Sequence, residues 1–169
     1  MRTLHKEVLR ISNTMQSIAL SDSHLLSIRT CAESAYPQEC CGLLLGRVTG
    51  DVKTLVEVWP VQNAWISEAE EHWPEQKQLT EKRRYAISPR DMLEAMKKGR
   101  DRSLEIIGIY HSHPDCAAVP SECDRTLAWP QYSYIIVSVR QGTSAEIRSW
   151  ILDSEGNFQS EEIIAVERD

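Results

Sequence analysis

A chain of 169 residues is near the size of one domain and can bury a sizeable core, and its 41% hydrophobic and 26% charged residues are those of an ordinary globular protein. The net charge of −6 disfavours nucleic acid as a partner, Lys82-Arg83-Arg84 being the only basic cluster, and no apolar stretch approaches the roughly 18 residues of a membrane span. The polar start Met1-Arg2-Thr3-Leu4-His5-Lys6-Glu7 lacks the apolar core of a signal peptide, and five cysteines, an odd number, read as reduced thiols, so a cytoplasmic protein is expected.

In chain order, residues 1–16 read as a short amphipathic or frayed extension, and 17–169 as the domain proper. Ser17 to Leu20 is a short strand. Ser21-Asp22-Ser23 offers N-caps for a helix carrying Leu25, Ile28, Ala32 and Ala35 at spacings of three and four, closed by Pro37. Cys41 to Arg47 is apolar on both faces, as a central strand is, and pairs through the turn Val48-Thr49-Gly50-Asp51 with a second strand from Thr54 to about Asn63. Residues 64–84 lose all periodicity, so a long exposed loop is expected there, with Trp65 and Trp73 as candidate contacts to a partner and Asn63, just before it, as a candidate for orienting substrate backbone. Ser88 and Pro89 open a second helix with Met92, Leu93 and Met96 as its buried stripe and Gly99 as its end. Three more strands close the chain, over Tyr132 to Val139, Ala145 to Leu152 and Gln159 to Val166. The pattern is that of an α/β domain, a curved, mixed, mostly antiparallel sheet flanked by helices.

Chemistry concentrates between the second helix and those last strands. The apolar run Leu104, Ile106, Ile107, Ile109 delivers His111-Ser112-His113-Pro114. Residues two apart on a strand project to one side, so His111 and His113 can converge on one ion while Ser112 points away. Asp124 can return as a third ligand, and two imidazoles with one carboxylate leave a tetrahedral zinc one open position, as catalytic zinc needs. Each fragment also has a plainer reading. The imidazoles can be hydrogen bonded in a loop, Ser121-x-x-Asp124 fits a capping box for a short helix, and Glu39 can be an exposed turn residue.

Taken together, His111-Ser112-His113-Pro114, Ser121-x-x-Asp124 and the upstream Glu39 in Pro37-Gln38-Glu39-Cys40-Cys41-Gly42-Leu43-Leu44-Leu45-Gly46 resemble the JAMM motif of the MPN+ metalloproteases, a family of zinc isopeptidases. The likeness runs from about Ile18 to about Trp150, and no position of the core motif departs from the pattern. It implies a single MPN domain, one zinc per chain held by His111, His113 and Asp124, Glu39 as general base and Ser121 as oxyanion donor. The compact chain is most similar to prokaryotic members that act on ubiquitin-like or sulfur-carrier proteins. The partner implied is the diglycine tail of such a carrier, with Trp65 and Trp73 gripping it, and a homodimer is compatible with that reading. The alternatives are a general small zinc peptidase and a non-catalytic MPN scaffold, the latter disfavoured because the full ligand set and Glu39 are present. A zinc deaminase is disfavoured, because its His-x-Glu and Pro-Cys-x-x-Cys signature is missing. Cys116 and Cys123, inside the motif loop, are candidate redox-sensitive thiols, although inert semi-buried cysteines are the commoner case.

Overall fold

The computed structural model describes residues 16–65 and 84–167, and the expectations for residues 1–15 and for Trp73 lie outside them. Seven strands and three helices follow one another there: β1 (Ser17–Leu20), α1 (Asp22–Ala35), β2 (Cys41–Thr49), β3 (Val52–Val61), α2 (Pro89–Asp101), β4 (Glu105–Pro114), α3 (Glu122–Leu127), β5 (Ser133–Arg140), β6 (Thr143–Leu152) and β7 (Phe158–Ala165). The strands close into a barrel in the order β1-β3-β2-β4-β5-β6-β7. Of its seven pairings, β1 with β3, β1 with β7 and β4 with β5 are parallel, and the rest are antiparallel. Closure is the one architectural feature absent from the sequence reading. It rests on β1, four buried residues that pair on both sides.

The sheet has a helix on each face, which explains why β2 is apolar and buried from Cys41 to Gly46. Leu44 packs with Ile28 and Ala32 of α1, whereas Leu43 and Leu45 pack with Ala95 of α2. β4 carries a register shift against β2 between Leu44 and Leu45, so Ile107 joins the α1 side and Ile109 the α2 side. From Ile109 onward the alternation is regular. It places His111 and His113 on the α2 face and Tyr110 and Ser112 on the α1 face.

α2 differs from the expected stripe. Its buried residues are Ala95 and Gly99, while Leu93 and Met96 are 52% and 55% exposed. Gly99 also does not end the helix. The chain closes through a Schellman arrangement, in which Leu104 N–H donates to Gly99 O at 2.8 Å and Ser103, at φ 53°, donates to Arg100 O. Gly99 is small because β4 starts against it: a Cβ there would stand 2.9 Å from Leu104 O. Small residues let the helix lie close on the sheet, which turns the larger apolar side chains outward.

Candidate metal centre

Three side chains from two elements converge at the end of β4. His111 Nε2 and His113 Nε2 lie 3.0 Å apart, Asp124 Oδ1 is 3.4 Å from His111 Nε2, and Asp124 Oδ2 is 3.6 Å from His113 Nε2. They are the group of metal-binding side chains found among the described residues. Four-coordinate zinc with bonds of about 2.0–2.1 Å sets its ligand atoms about 3.3 Å apart, so the donor triangle has the size such an ion requires. The donor chemistry fits as well. The His113 Nδ1–H donates to Ala117 O at 2.9 Å, which leaves the Nε2 lone pair facing the other ligands. Burial holds the fully enclosed His111 below its ordinary pKa, hence neutral and able to ligate. For His113 burial acts in the same direction, but Asp124, the Ala117 carbonyl and Glu39 outweigh it and raise its pKa. Asp124 is pushed well below the usual carboxylate range. Its burial opposes this, and the two imidazoles with the Ser121 N–H prevail.

The capping reading of Ser121-x-x-Asp124 is realised, and it leaves Asp124 facing the two histidines. Ser121 Oγ accepts from Asp124 N–H at 3.1 Å, and Asp124 Oδ2 accepts from Ser121 N–H at 2.6 Å, a complete capping box at the start of α3. The box fixes the rotamer of Asp124, so its carboxylate meets the histidines already oriented. Ser121 Oγ acts there as an acceptor, which leaves its own proton available to a ligand.

Glu39 stands opposite His113 across the β2–β4 pair, two residues before the Cys41↔His111 register match. It is 7% exposed, and burial drives its pKa up to about 8, with His113 opposing. A divalent cation held by the three ligands would lower it again. Its backbone is fixed on both sides. Asn63 Nδ2 donates to Glu39 O at 3.1 Å, and Cys40 N–H donates to Ser112 Oγ at 2.8 Å. Ser112, which strand alternation turns away from the ligands, therefore braces the neighbour of Glu39.

Asn63, the candidate for orienting substrate backbone, is bonded within the protein itself. All four of its hydrogen-bonding positions serve the chain: Nδ2 also donates to Arg84 O, and Oδ1 accepts from Trp65 N–H and Ala86 N–H. Trp65 is 2% exposed and lines the cleft as part of its wall. Sequence reading missed Tyr85, whose ring stacks on His111 with centroids 4.4 Å apart at 24°. Only its place beside the aperiodic segment could have drawn attention to it. Two cavities flank the centre. One, of about 230 Å³, is largely apolar and bounded by Trp65, Tyr85, Met92, Leu127 and Trp129. The other, of about 330 Å³, holds His113, Cys116, Val119 and Ser121, and Glu39 and Arg84 border both. Among the described residues no helix is long and apolar enough to cross a membrane.

Comparison with known proteins agrees with this geometry. Residues 21–153 match the family model described as prokaryotic homologs of the JAB domain. A Pyrococcus furiosus protein named desampylase is 33% identical over 153 residues, covering 89% of this chain and 92% of its own. The solution structure of a Desulfitobacterium hafniense protein superposes with a TM-score of 0.72 at 29% identity over 89% of this chain and 94% of that one. A JAB1/MPN domain protein from Archaeoglobus fulgidus shares the fold, with a TM-score of 0.50 at 19% identity over 91% of this chain and 99% of that one. The chain belongs to the prokaryotic JAB family, the JAMM/MPN domains.

Proposed function

We propose that the protein is a zinc-dependent isopeptidase that hydrolyses the amide bond after the C-terminal diglycine of a ubiquitin-like or sulfur-carrier protein in the cytoplasm. The observation that carries the reading is the convergence of His111, His113 and Asp124 at metal-ligand spacing beside the buried carboxylate of Glu39. The relative named desampylase supports hydrolysis and a ubiquitin-like partner.

One zinc per chain, held by His111, His113 and Asp124, supplies Lewis acidity and lowers the pKa of water towards 7. Glu39 takes the proton of the attacking water and delivers it to the leaving nitrogen, a role its dry, braced position suits. The Ser121 hydroxyl, already accepting from the α3 backbone, donates its proton to the oxyanion that develops on the scissile carbonyl. A diglycine tail brings no side chain between Glu39 and Ser121. It lies extended in the cleft, while the apolar walls exclude water.

The test offers the zinc-loaded protein a carrier extended by one cysteine, the same carrier with its diglycine changed to dialanine, and an unrelated unfolded protein. Cleavage of the first alone is expected. Equal cleavage of all three would make the protein a general peptidase, and cleavage of none would return weight to a scaffold.

A further inference from the structure

The chain that carries Glu39 leaves α1 after Ala35, one turn beyond Cys31, and returns to the same core cluster at Cys40. Between them Tyr36 ends the helix, Gln38 N–H donates to Ala35 O at 2.9 Å, and Glu39 turns towards the metal ligands. Cys40 belongs to the core on the α1 face and Cys31 packs against it, half-buried. Each thiol perturbs the other, Cys40 lowering the pKa of Cys31 and Cys31 raising that of Cys40. Both line a cavity of about 400 Å³ that Gln38, Glu39 and Asn63 also border, so a small solute reaches Cys31 from the side of Glu39 away from the ligands. The Cys40 side chain holds the Cys31 thiol down at about 6, against its burial, so Cys31 is the readier nucleophile.

We infer that Cys31 and Cys40 form a peroxide-oxidisable thiol pair whose disulfide displaces the Glu39 turn. The Cys31 thiolate attacks one oxygen of hydrogen peroxide, giving a sulfenic acid and, after protonation of the departing hydroxide, one water. The Cys40 thiol then attacks that sulfur, the S–O bond breaks, and a second water leaves with the thiol proton. Two thiols and one peroxide become one disulfide and two waters. The two sulfurs must close to about 2.05 Å. Cys40 cannot follow without straining its N–H bond to Ser112 Oγ or the grip of Asn63 on Glu39. A displacement of about 1 Å at a catalytic group is worth about 10²-fold in rate. The thiol pair stands apart from the proposed reaction, and only this rate effect rests on that reading.

The experiment treats the full zinc-loaded chain with hydrogen peroxide, maps disulfides by mass spectrometry after alkylation, and follows backbone amide exchange. The expected result is a Cys31–Cys40 crosslink, reversed by a thiol reductant, with faster exchange at the Cys40 amide. Cys31→Ser should retain full basal activity and show neither change. A crosslink elsewhere, such as Cys116–Cys123, or a Cys31–Cys40 crosslink that leaves the Cys40 amide as protected as before, would overturn the inference. Both readouts work whether or not the protein cleaves a diglycine substrate, so failure of the functional proposal is scored separately.

Discussion

Glu39 shows most plainly how a reactive residue acts against the stability of its own fold. Its pKa, about 8 in the metal-free protein, lies above the ordinary 4.5 because burial penalises the charge. For a carboxyl shifted upward, the folded state binds the proton more tightly than the unfolded one. Stability is therefore intact below about pH 4.5 and is lost as the pH rises towards about 8, at about 1.4 kcal/mol per pH unit. Metal-free Glu39→Gln should accordingly be more stable than wild type by on the order of 3 kcal/mol at pH 8 and about equally stable at pH 4, which denaturant titration at the two values would show; equal stability at both would contradict a buried acid. With zinc bound the same variant should keep its metal and lose about 10²-fold or more in turnover, since it keeps the shape but cannot take a proton. If metal analysis finds it empty, Glu39 is a ligand instead. The ligands themselves respond in the opposite sense. His113 has a raised pKa, so acidification loads it with a proton that competes with the ion, and zinc occupancy, measured by dialysis against buffered metal, should begin to fall at a pH above the ordinary histidine range.

Short elements carry the centre, and they differ in how far the sequence announces them. β4 and α3 were legible because their signals are local: a period of two sets both histidines on one side, and a capping box needs only Ser121 and Asp124, three residues apart. The clamp made by Asn63 was not, since its partners Glu39 and Arg84 lie 24 and 21 residues away and no local pattern reports them. The outward turn of Leu93 and Met96 was equally hidden, because a helix lying close on a sheet through Ala95 and Gly99 inverts the usual rule that the largest apolar residues mark the buried face. Two predictions belong at this scale. Ser121→Ala removes the α3 cap, worth about 1 kcal/mol, and the proposed oxyanion donor, a contact worth roughly 10²–10³ in turnover. Zinc content should therefore change little while turnover falls far more than the capping loss explains, and Ser121→Thr, which keeps both functions, should recover both. Gly42 faces Tyr110 across the β2–β4 pair, and a Cβ there would stand 2.3 Å from Tyr110 Cε1 and 2.6 Å from Trp59 O. Gly42→Ala should cost about 1–3 kcal/mol or more and, by shifting the residue next to His111, weaken zinc binding as well. Unchanged thermal stability would mean that the sheet yields more freely there than its packing implies.

At the scale of the whole molecule the question is what holds a four-residue strand between β3 and β7 and so closes the barrel. Apolar packing contributes, since Ile18 and Leu20 are fully buried. A polar chain runs beside it through the interior. Lys53 of β3 donates to Ser133 of β5 at 2.9 Å, Ser133 donates to Glu161 of β7 at 2.8 Å, and Ser149 of β6 donates to the other Glu161 oxygen at 2.6 Å. Lys53 and Glu161 are 8% and 4% exposed, and they sit on the two strands that flank β1. Burial lowers the pKa of the lysine and raises that of the glutamate, each offset by the other's charge. No sequence pattern pairs these residues, because 108 positions separate 53 from 161 and only barrel closure brings them together. Removing one partner leaves a buried charge uncompensated, so Lys53→Met should cost about 3–5 kcal/mol at neutral pH, although the site lies away from the metal ligands. The pH dependence follows from Glu161. A glutamate whose folded pKa is raised contributes stability that is present below its unfolded value of about 4.5 and lost as the pH rises through the folded value. Without Lys53 that folded value climbs further, and the penalty of the variant should grow from pH 4 to pH 8. Lys53→Met combined with Glu161→Leu, which removes both charges, should recover most of the loss and flatten the pH dependence. Urea titrations of the three proteins at the two pH values decide the matter. A Lys53→Met protein as stable as wild type at pH 8 would assign closure to the apolar contacts of β1 alone.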